Sequence, residues 1–255
     1  MNSNLNVNYN SISKEYNNRY KLNDLSGIYS SLEEIIKTNN YQNILEVGCG
    51  TGFWINRISK DGRNIFGCDL STGMLKEADN SKNNCSLFCA NANQLPIKTQ
   101  KFDLIYCVNA LHHFPNKKSF ISGSKKLLTK NGSLCIYGID PRFEDDEWYL
   151  YDYFENSYNN DLIRFPSFTD IHNLYNTANY KNIKFEIVQK VKNDRTTANI
   201  FDDPFLQKGG TSQLAMLNED EYQNGISKIK ESIQKNKNQI FKTRITFGLI
   251  SGKNI

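Results

Sequence analysis

Nine consecutive residues, Ile44-Leu45-Glu46-Val47-Gly48-Cys49-Gly50-Thr51-Gly52, constrain the fold of this chain more than any other feature. Four residues of strand character, one of them an acid, run straight into glycines at every second position. Such a run is a buried strand turning sharply into a helix, with no Cβ where the backbone must approach a ligand. Its spacing excludes one class. A dinucleotide fingerprint, G-x-G-x-x-G, would need its third glycine at position 53, which is Phe53. The third glycine is Gly52 instead, so a nicotinamide dehydrogenase is the weakest reading of the loop.

The regions on either side set the architecture. Between residues 9 and 36, Tyr9, Ile12, Tyr16, Tyr20, Leu25, Ile28, Leu32, Ile35 and Ile36 follow a spacing of three to four, which predicts one or two amphipathic helices. From 41 to 140, short apolar strands alternate with helices. The strands are expected at Asn43–Val47, Ile65–Cys68, Ser86–Cys89, Leu104–Val108 and Ser133–Gly138, and the helices at Trp54–Lys60, Met74–Asn80 and Lys117–Leu128. Regular alternation of this kind gives a mostly parallel sheet with helices on both faces. After Asp140-Pro141 the regularity breaks at an aromatic run, Trp148 to Phe154. A helix at Asp170–Ala178, a strand at Lys184–Val191, a helix at Glu219–Asn236 and a closing strand at Ile240–Ile250 then complete the pattern. No internal repeat is visible.

Each successive strand end supplies a polar group. The first ends in the glycine loop with Glu46 behind it. The second ends in Asp69-Leu70-Ser71, about twenty residues past the glycines, where a carboxylate can accept from two ribose hydroxyls; Met74 follows, placed to pack on a base or sugar. The third ends in Asn91-Ala92 and the fourth in Asn109-Ala110-Leu111-His112-His113-Phe114. In this order and at these separations, residues 40–140 resemble the class I S-adenosyl-L-methionine (SAM)-dependent methyltransferases. The resemblance implies a Rossmann-like α/β fold with a seven-stranded sheet whose last strand is antiparallel. It implies SAM as cofactor, S-adenosyl-L-homocysteine as product, and a cofactor site made of Glu46, Gly48, Gly50, Gly52, Asp69, Leu70, Met74, Asn91, Ala92 and Asn109. The family usually carries Asp where Asn91 stands; the amide oxygen of Asn91 can still accept from the adenine amine.

The acceptor is narrowed by what is missing. Asn109-Ala110-Leu111-His112 is not the [Asp/Asn]-Pro-Pro-[Phe/Tyr] of enzymes that methylate exocyclic amines of nucleic acids, and the chain has no Pro-Cys pair of the cytosine-C5 class. His112-His113-Phe114 resembles the branch that acts on small molecules. Methyl transfer from a sulfonium is an in-line displacement in which alignment and desolvation supply most of the rate. A base is needed only where the acceptor must lose a proton, and His112 and His113 are the candidates; packing or helix capping is the alternative for either. Asp140, at the end of the fifth strand, either orients substrate or closes the turn with Pro141. The run 148–154 has two readings, a core beneath an insertion or an aromatic lid over the acceptor pocket, and the lid is preferred for its place directly after the fifth strand. Arg164 pairs either with a substrate carboxylate or, as the preferred reading, with an acid of its own insertion.

Composition excludes other classes. The 31 basic and 27 acidic residues leave a net charge of +4 with no dense basic stripe, so no nucleic-acid partner is expected. Lysines between 228 and 242 read as a solvated helix face. Six cysteines, without a C-x-x-C pair, read as small thiols in a reducing cytoplasm. No apolar run reaches membrane-spanning length and the N-terminus does not resemble a signal peptide. The expectation is a cytoplasmic enzyme that methylates an O, N, S or C nucleophile of a small, partly apolar metabolite. A helical cover is expected over residues 1–40, and the methyltransferase domain over 41–255, with cap insertions near 141–170 and 195–218. A non-catalytic SAM-binding scaffold and an RNA- or protein-directed methyltransferase remain open as alternatives, and the sequence leaves the oligomeric state open.

Overall fold

The computed structural model describes residues 7–14, 16–20, 24–59, 62–78, 85–144 and 146–255. Helix α1 (Tyr9–Ile12), a 3-10 turn (Tyr16–Tyr20) and helix α2 (Ser26–Asn39) precede the alternating region. That region comprises β1 (Asn43–Val47), α3 (Phe53–Ile58), β2 (Asn64–Asp69), α4 (Thr72–Glu77), β3 (Cys85–Cys89), β4 (Phe102–Val108), α5 (Lys117–Leu127) and β5 (Leu128–Gly138). Beyond it lie β6 (Glu147–Trp148), α6 (Leu150–Tyr153), α7 (Ser157–Arg164), α8 (Phe168–Thr177), β7 (Lys181–Lys192) and β8 (Arg195–Thr196). The chain closes with α9 (Ser212–Ala215), α10 (Glu219–Lys235), β9 (Ile240–Phe241) and β10 (Thr243–Lys253). The ends expected for two helices, at Lys60 and Asn80, lie outside the described residues.

The main sheet runs in the order β3-β2-β1-β4-β5-β10-β6, with β7 on β10. The pairs among β1 to β5 are parallel, and β10 is antiparallel to β5, β6 and β7. Two details differ from expectation. The sheet has eight strands rather than seven, because Glu147 and Trp148 pair with Arg244 and Thr243 at the start of β10. The closing strand also breaks at Lys242, and its first two residues pair with Arg195 and Thr196 in a separate ribbon.

Strands β1, β4 and β5 are near-continuous apolar runs because the sheet is covered on both faces. On one face Ile28, Leu32 and Ile36 of α2 form a fully buried stripe and pack with Trp54, Ile55 and Ile58 of α3. Each such aliphatic side chain contributes about 1.5–3 kcal/mol on burial. α2 stops at Asn40, whose left-handed φ of 52° turns its N–H back to the carbonyls of Ile36 and Lys37. On the other face Phe120, Ile121 and Leu127 of α5 meet Phe168, Ile171 and Tyr175 of α8. Capping boxes start α8 (Ser167 with Asp170) and α10 (Asn218 with Glu221).

Chain direction reverses around β1, which has β2 on one side and β4 on the other. In an open α/β sheet the crevice beyond the carboxyl ends of the strands at such a reversal is where ligands bind. The register brings Val47 beside Cys68 and Glu46 beside Tyr106, so the ends of β1, β2 and β4 reach one rim together.

Candidate active site

The loop after β1 is held open by hydrogen bonds from its own backbone. The N–H groups of Gly48 and Cys49 both donate to the Cys68 carbonyl, at 2.8 and 3.0 Å. Gly50 N–H donates to Asp69 Oδ2 at 2.8 Å, while Asp69 Oδ1 accepts from Ser71 N–H at 2.8 Å. One carboxylate therefore ties the glycine loop to the start of α4. Gly48 has φ +76°, and a Cβ there would stand 2.5 Å from the Ala110 Cβ, so only glycine fits.

This loop walls a cavity of about 410 Å³. Of the sequence candidates, Glu46, Gly48, Gly50, Asp69, Leu70, Met74, Asn91, Ala92, Asn109 and His113 line it. Glu46 is 1 % exposed. Its Oε2 accepts from the Tyr106 hydroxyl at 3.0 Å, and its Oε1 is buried with no hydrogen-bond partner among the described residues. Burial, reinforced by the charge of Asp69, pushes the Glu46 carboxyl well above the usual range. Burial also raises Asp69, against the opposing pull of the Ser71, Gly50 and Leu70 amides. Asn109 sits in the left-handed region (φ 50°), with Oδ1 buried and likewise without a partner among the described residues. Asn91 Oδ1 accepts from Asn93 N–H at 2.9 Å, which leaves one lone pair. A guest of this cavity must present hydrogen-bond donors or positive charge to Glu46, Asp69 and Asn109 and an apolar surface to Met74, Val108 and Phe114.

Three candidates lie elsewhere. Gly52 does not line the cavity; at φ 73° it is the N-cap of α3 and turns the loop into the helix. His112 is stacked on Phe165, with ring centroids 3.8 Å apart and planes at 16°, and is absent from the cavity wall. Asp140 is absent from the cavity wall and holds the turn after β5. Its Oδ1 accepts from the Arg142 N–H and guanidinium at 3.0 and 2.8 Å, and its Oδ2 from Phe168 N–H at 3.3 Å, which ties the end of β5 to the cap.

The aromatic run is also not the expected lid. Trp148, Tyr149, Leu150 and Phe154 are buried in one apolar cluster with Ile200, Leu206 and Leu214 of the second insertion and with Ile229 and Phe241 beyond it. The tyrosine hydroxyls are satisfied inside it, Tyr149 by Asp203 and Tyr151 by Asp161. Arg164 does pair within its insertion, 3.8 Å from Asp161, and also donates to Ser212.

What covers the cavity instead is the N-terminal segment. Tyr9, Tyr16 and Tyr20 line it together with Trp54. The Tyr9 hydroxyl lies 2.5 Å from His113 Nε2, and Asn10 Oδ1 accepts from Ser71 Oγ and Gly73 N–H at 2.7 and 2.8 Å. Thr51 Oγ1 donates to Asn17, and Tyr20 stacks on Phe53 at 3.6 Å. These tyrosines carry the three-to-four spacing visible in the sequence, but a helical stripe alone does not say whether it faces a core or a ligand.

With this geometry in place, residues 45–136 match the family described as "Methyltransferase domain". That stretch holds the glycine loop, Asp69, Asn91, Asn109 and the two histidines. Among curated relatives, the ubiquinone biosynthesis O-methyltransferase of Coxiella burnetii is 29% identical over 114 residues, which cover 43% of this chain and 47% of that protein. The chain thus spans about half the length of the curated relatives it matches. Among solved structures, the YcgJ protein from Bacillus subtilis superposes with TM-score 0.61 at 18% identity, covering 88% of this chain and 97% of that one. Phosphoethanolamine N-methyltransferase 2 of Haemonchus contortus, solved in complex with SAM, superposes with TM-score 0.59 at 16% identity, covering 96% and 57% respectively. These likenesses establish the fold: a Rossmann-like α/β sheet shared from the glycine loop to the antiparallel closing strand.

Proposed function

We propose that the protein is a SAM-dependent methyltransferase acting on a small, partly apolar molecule. The observation that carries this reading is the crevice at the ends of β1, β2 and β4, whose wall gathers Glu46, Asp69 and Asn109 around the glycine loop. Two carboxylates raised by burial in one cavity wall suit a guest carrying both a diol and an ammonium group, and SAM is such a guest. Asp69 retains lone pairs for the ribose hydroxyls beyond the two amides it holds. Glu46 and Asn109 would take the aminoacyl end, and Asn91 and Ala92 the adenine edge. Exposed Leu70 and buried Met74 would flank the base.

SAM supplies the methyl group as a sulfonium; the chain's own residues orient it, keep water out and handle the acceptor's proton. Tyr9, Tyr16, Tyr20 and Trp54 present aromatic faces to the cavity, which suit a sulfonium charge and exclude water. Where the acceptor carries a proton that must leave, Tyr9 and His113 form the relay: Tyr9 oxygen takes that proton as its own passes to His113 Nε2. His112, packed on Phe165, supports His113 from behind, their rings 3.8 Å apart.

The acceptor is read as a small molecule because the cavity is walled by the N-terminal segment rather than open along a basic face. Cytoplasmic residence belongs to the same reading and is supported by Cys49, Cys68, Cys107 and Cys135, which are buried as thiols. Among the described residues no helix is long and apolar enough to cross a membrane. The test is turnover: purified protein with SAM and pooled phenols, amines, thiols and carboxylates should release S-adenosyl-L-homocysteine in at least one pool. Binding of SAM without turnover in any pool would favour the scaffold alternative.

A further inference from the structure

Strand β7 is an unusual edge. Among the described residues it pairs with β10 alone, and no strand lies on its other side; α2 touches it past the bulge, where Gly27 N–H donates to Gln189 at 2.7 Å. Between an irregularity near Asn182 (φ 51°) and a bulge at Val188, residues 183–187 form a regular stretch, Ile183-Lys184-Phe185-Glu186-Ile187. Phe185 and Ile187 are 41% and 44% exposed, and Lys184 and Glu186 are exposed without an ion-pair partner among the described residues. Long apolar edges normally recruit another strand unless something defends them, most often a lysine. Of the four lysines of β7, Lys181, Lys184, Lys190 and Lys192, only Lys184 falls in the regular stretch, and it stands two residues from Glu186 on the same face of the strand.

We propose that β7 is a homodimer interface, in which two copies join antiparallel at this edge about a two-fold axis through Phe185. In that register Phe185 faces Phe185 of the second copy, Ile183 faces Ile187, and Lys184 faces Glu186, each of the last two pairs occurring twice. Cross-strand neighbours on one face interact directly, so the three apolar residues of each copy merge into one strip and the two ion pairs close the opposite face. The same charges reject the adjacent registers. A two-residue slip one way sets Lys184 against Lys184, and the other way sets Glu186 against Glu186; a one-residue slip is forbidden because it mismatches the faces. Within the regular stretch Lys184 alone would defend the edge, but with Glu186 beside it the stretch is complementary to a copy of itself. The pairing is isologous, so it closes at two copies and does not propagate.

Analytical ultracentrifugation of the full chain tests this. The wild type should sediment as a species of twice the 29.4 kDa chain mass. Lys184→Glu and Glu186→Lys should each weaken self-association by at least about tenfold, since each places like charges opposite one another. The double variant, Lys184→Glu with Glu186→Lys, restores complementarity and should return the dimer. Both positions are exposed, and circular dichroism of each variant reports whether it folds. The proposal is overturned if the wild type stays monomeric up to the highest soluble concentration, if both single variants dimerise like the wild type, or if the double variant stays monomeric while folded.

Discussion

Replacing Glu46 by Gln tests the task proposed for its carboxylate in holding the ligand's ammonium. In the free protein the carboxyl is buried against Tyr106 and raised well above its ordinary range, so ionising it costs stability. The sign follows from the raised native value. Glu46 contributes its stability below the unfolded carboxyl range, and that contribution is lost as pH rises toward the folded value, at about 1.4 kcal/mol per unit separating the two. The substituted amide keeps an acceptor for Tyr106 and has no charge to desolvate, so Glu46→Gln should lose less stability than wild type between mildly acidic and neutral pH. Binding should respond in the opposite sense. An ammonium facing Oε1 favours the ionised carboxylate, so SAM should bind the wild type more tightly as pH rises, with proton release below the free-state value. Losing a charge-assisted hydrogen bond costs about 1.5–3 kcal/mol, or about ten- to a hundredfold in affinity. Calorimetric titration across pH 5–9 in two buffers of different ionisation enthalpy reads affinity and proton release together. Asp69, also raised by burial, leaves a residual slope. Wild-type affinity and an unchanged pH slope in Glu46→Gln would refute this role for Glu46.

Gly48→Ala should destabilise the fold by about 2–5 kcal/mol in urea unfolding, because it joins left-handed strain to overpacking against Ala110, whose Cβ would be 2.5 Å away. Tyr9→Phe should lower turnover of a proton-bearing acceptor by about ten- to a hundredfold while SAM affinity stays within a factor of two or so; full turnover in steady-state assays would exclude the relay. Asp140→Ala should cost about 1–3 kcal/mol of stability through the lost bonds to Arg142 and Phe168, with SAM affinity unchanged by titration.

The alternating half of the fold was legible because its central strands, β1, β4 and the second half of β5, are buried on both faces and read as apolar runs bounded by glycine, asparagine and acid. β1 begins and ends where its pattern does, from Asn43 to Val47. The strand-end residues Asp69, Asn91 and Asn109 were legible for the same reason, since a residue that ends such a strand must face the crevice. The C-terminal half was less so. Trp148 to Phe154 has the same aromatic density whether it walls a pocket or fills a core, and only the arrival of Leu214, Ile229 and Phe241 from distant segments decides for the core. Glu147 and Trp148 form a strand only because Arg244 and Thr243 lie alongside. Tyr9 shows the converse: its spacing marks a buried stripe, but its contact with His113, 104 residues away, has no local signature.

The central claim is that the crevice beneath the glycine loop holds an adenosyl ligand. Calorimetric titration of the cofactor-stripped protein with SAM, S-adenosyl-L-homocysteine and NAD tests it most directly. The account predicts one-to-one binding of both adenosyl ligands, no binding of NAD, and marked weakening of both in Asp69→Ala. A folded protein that binds neither adenosyl ligand would contradict it.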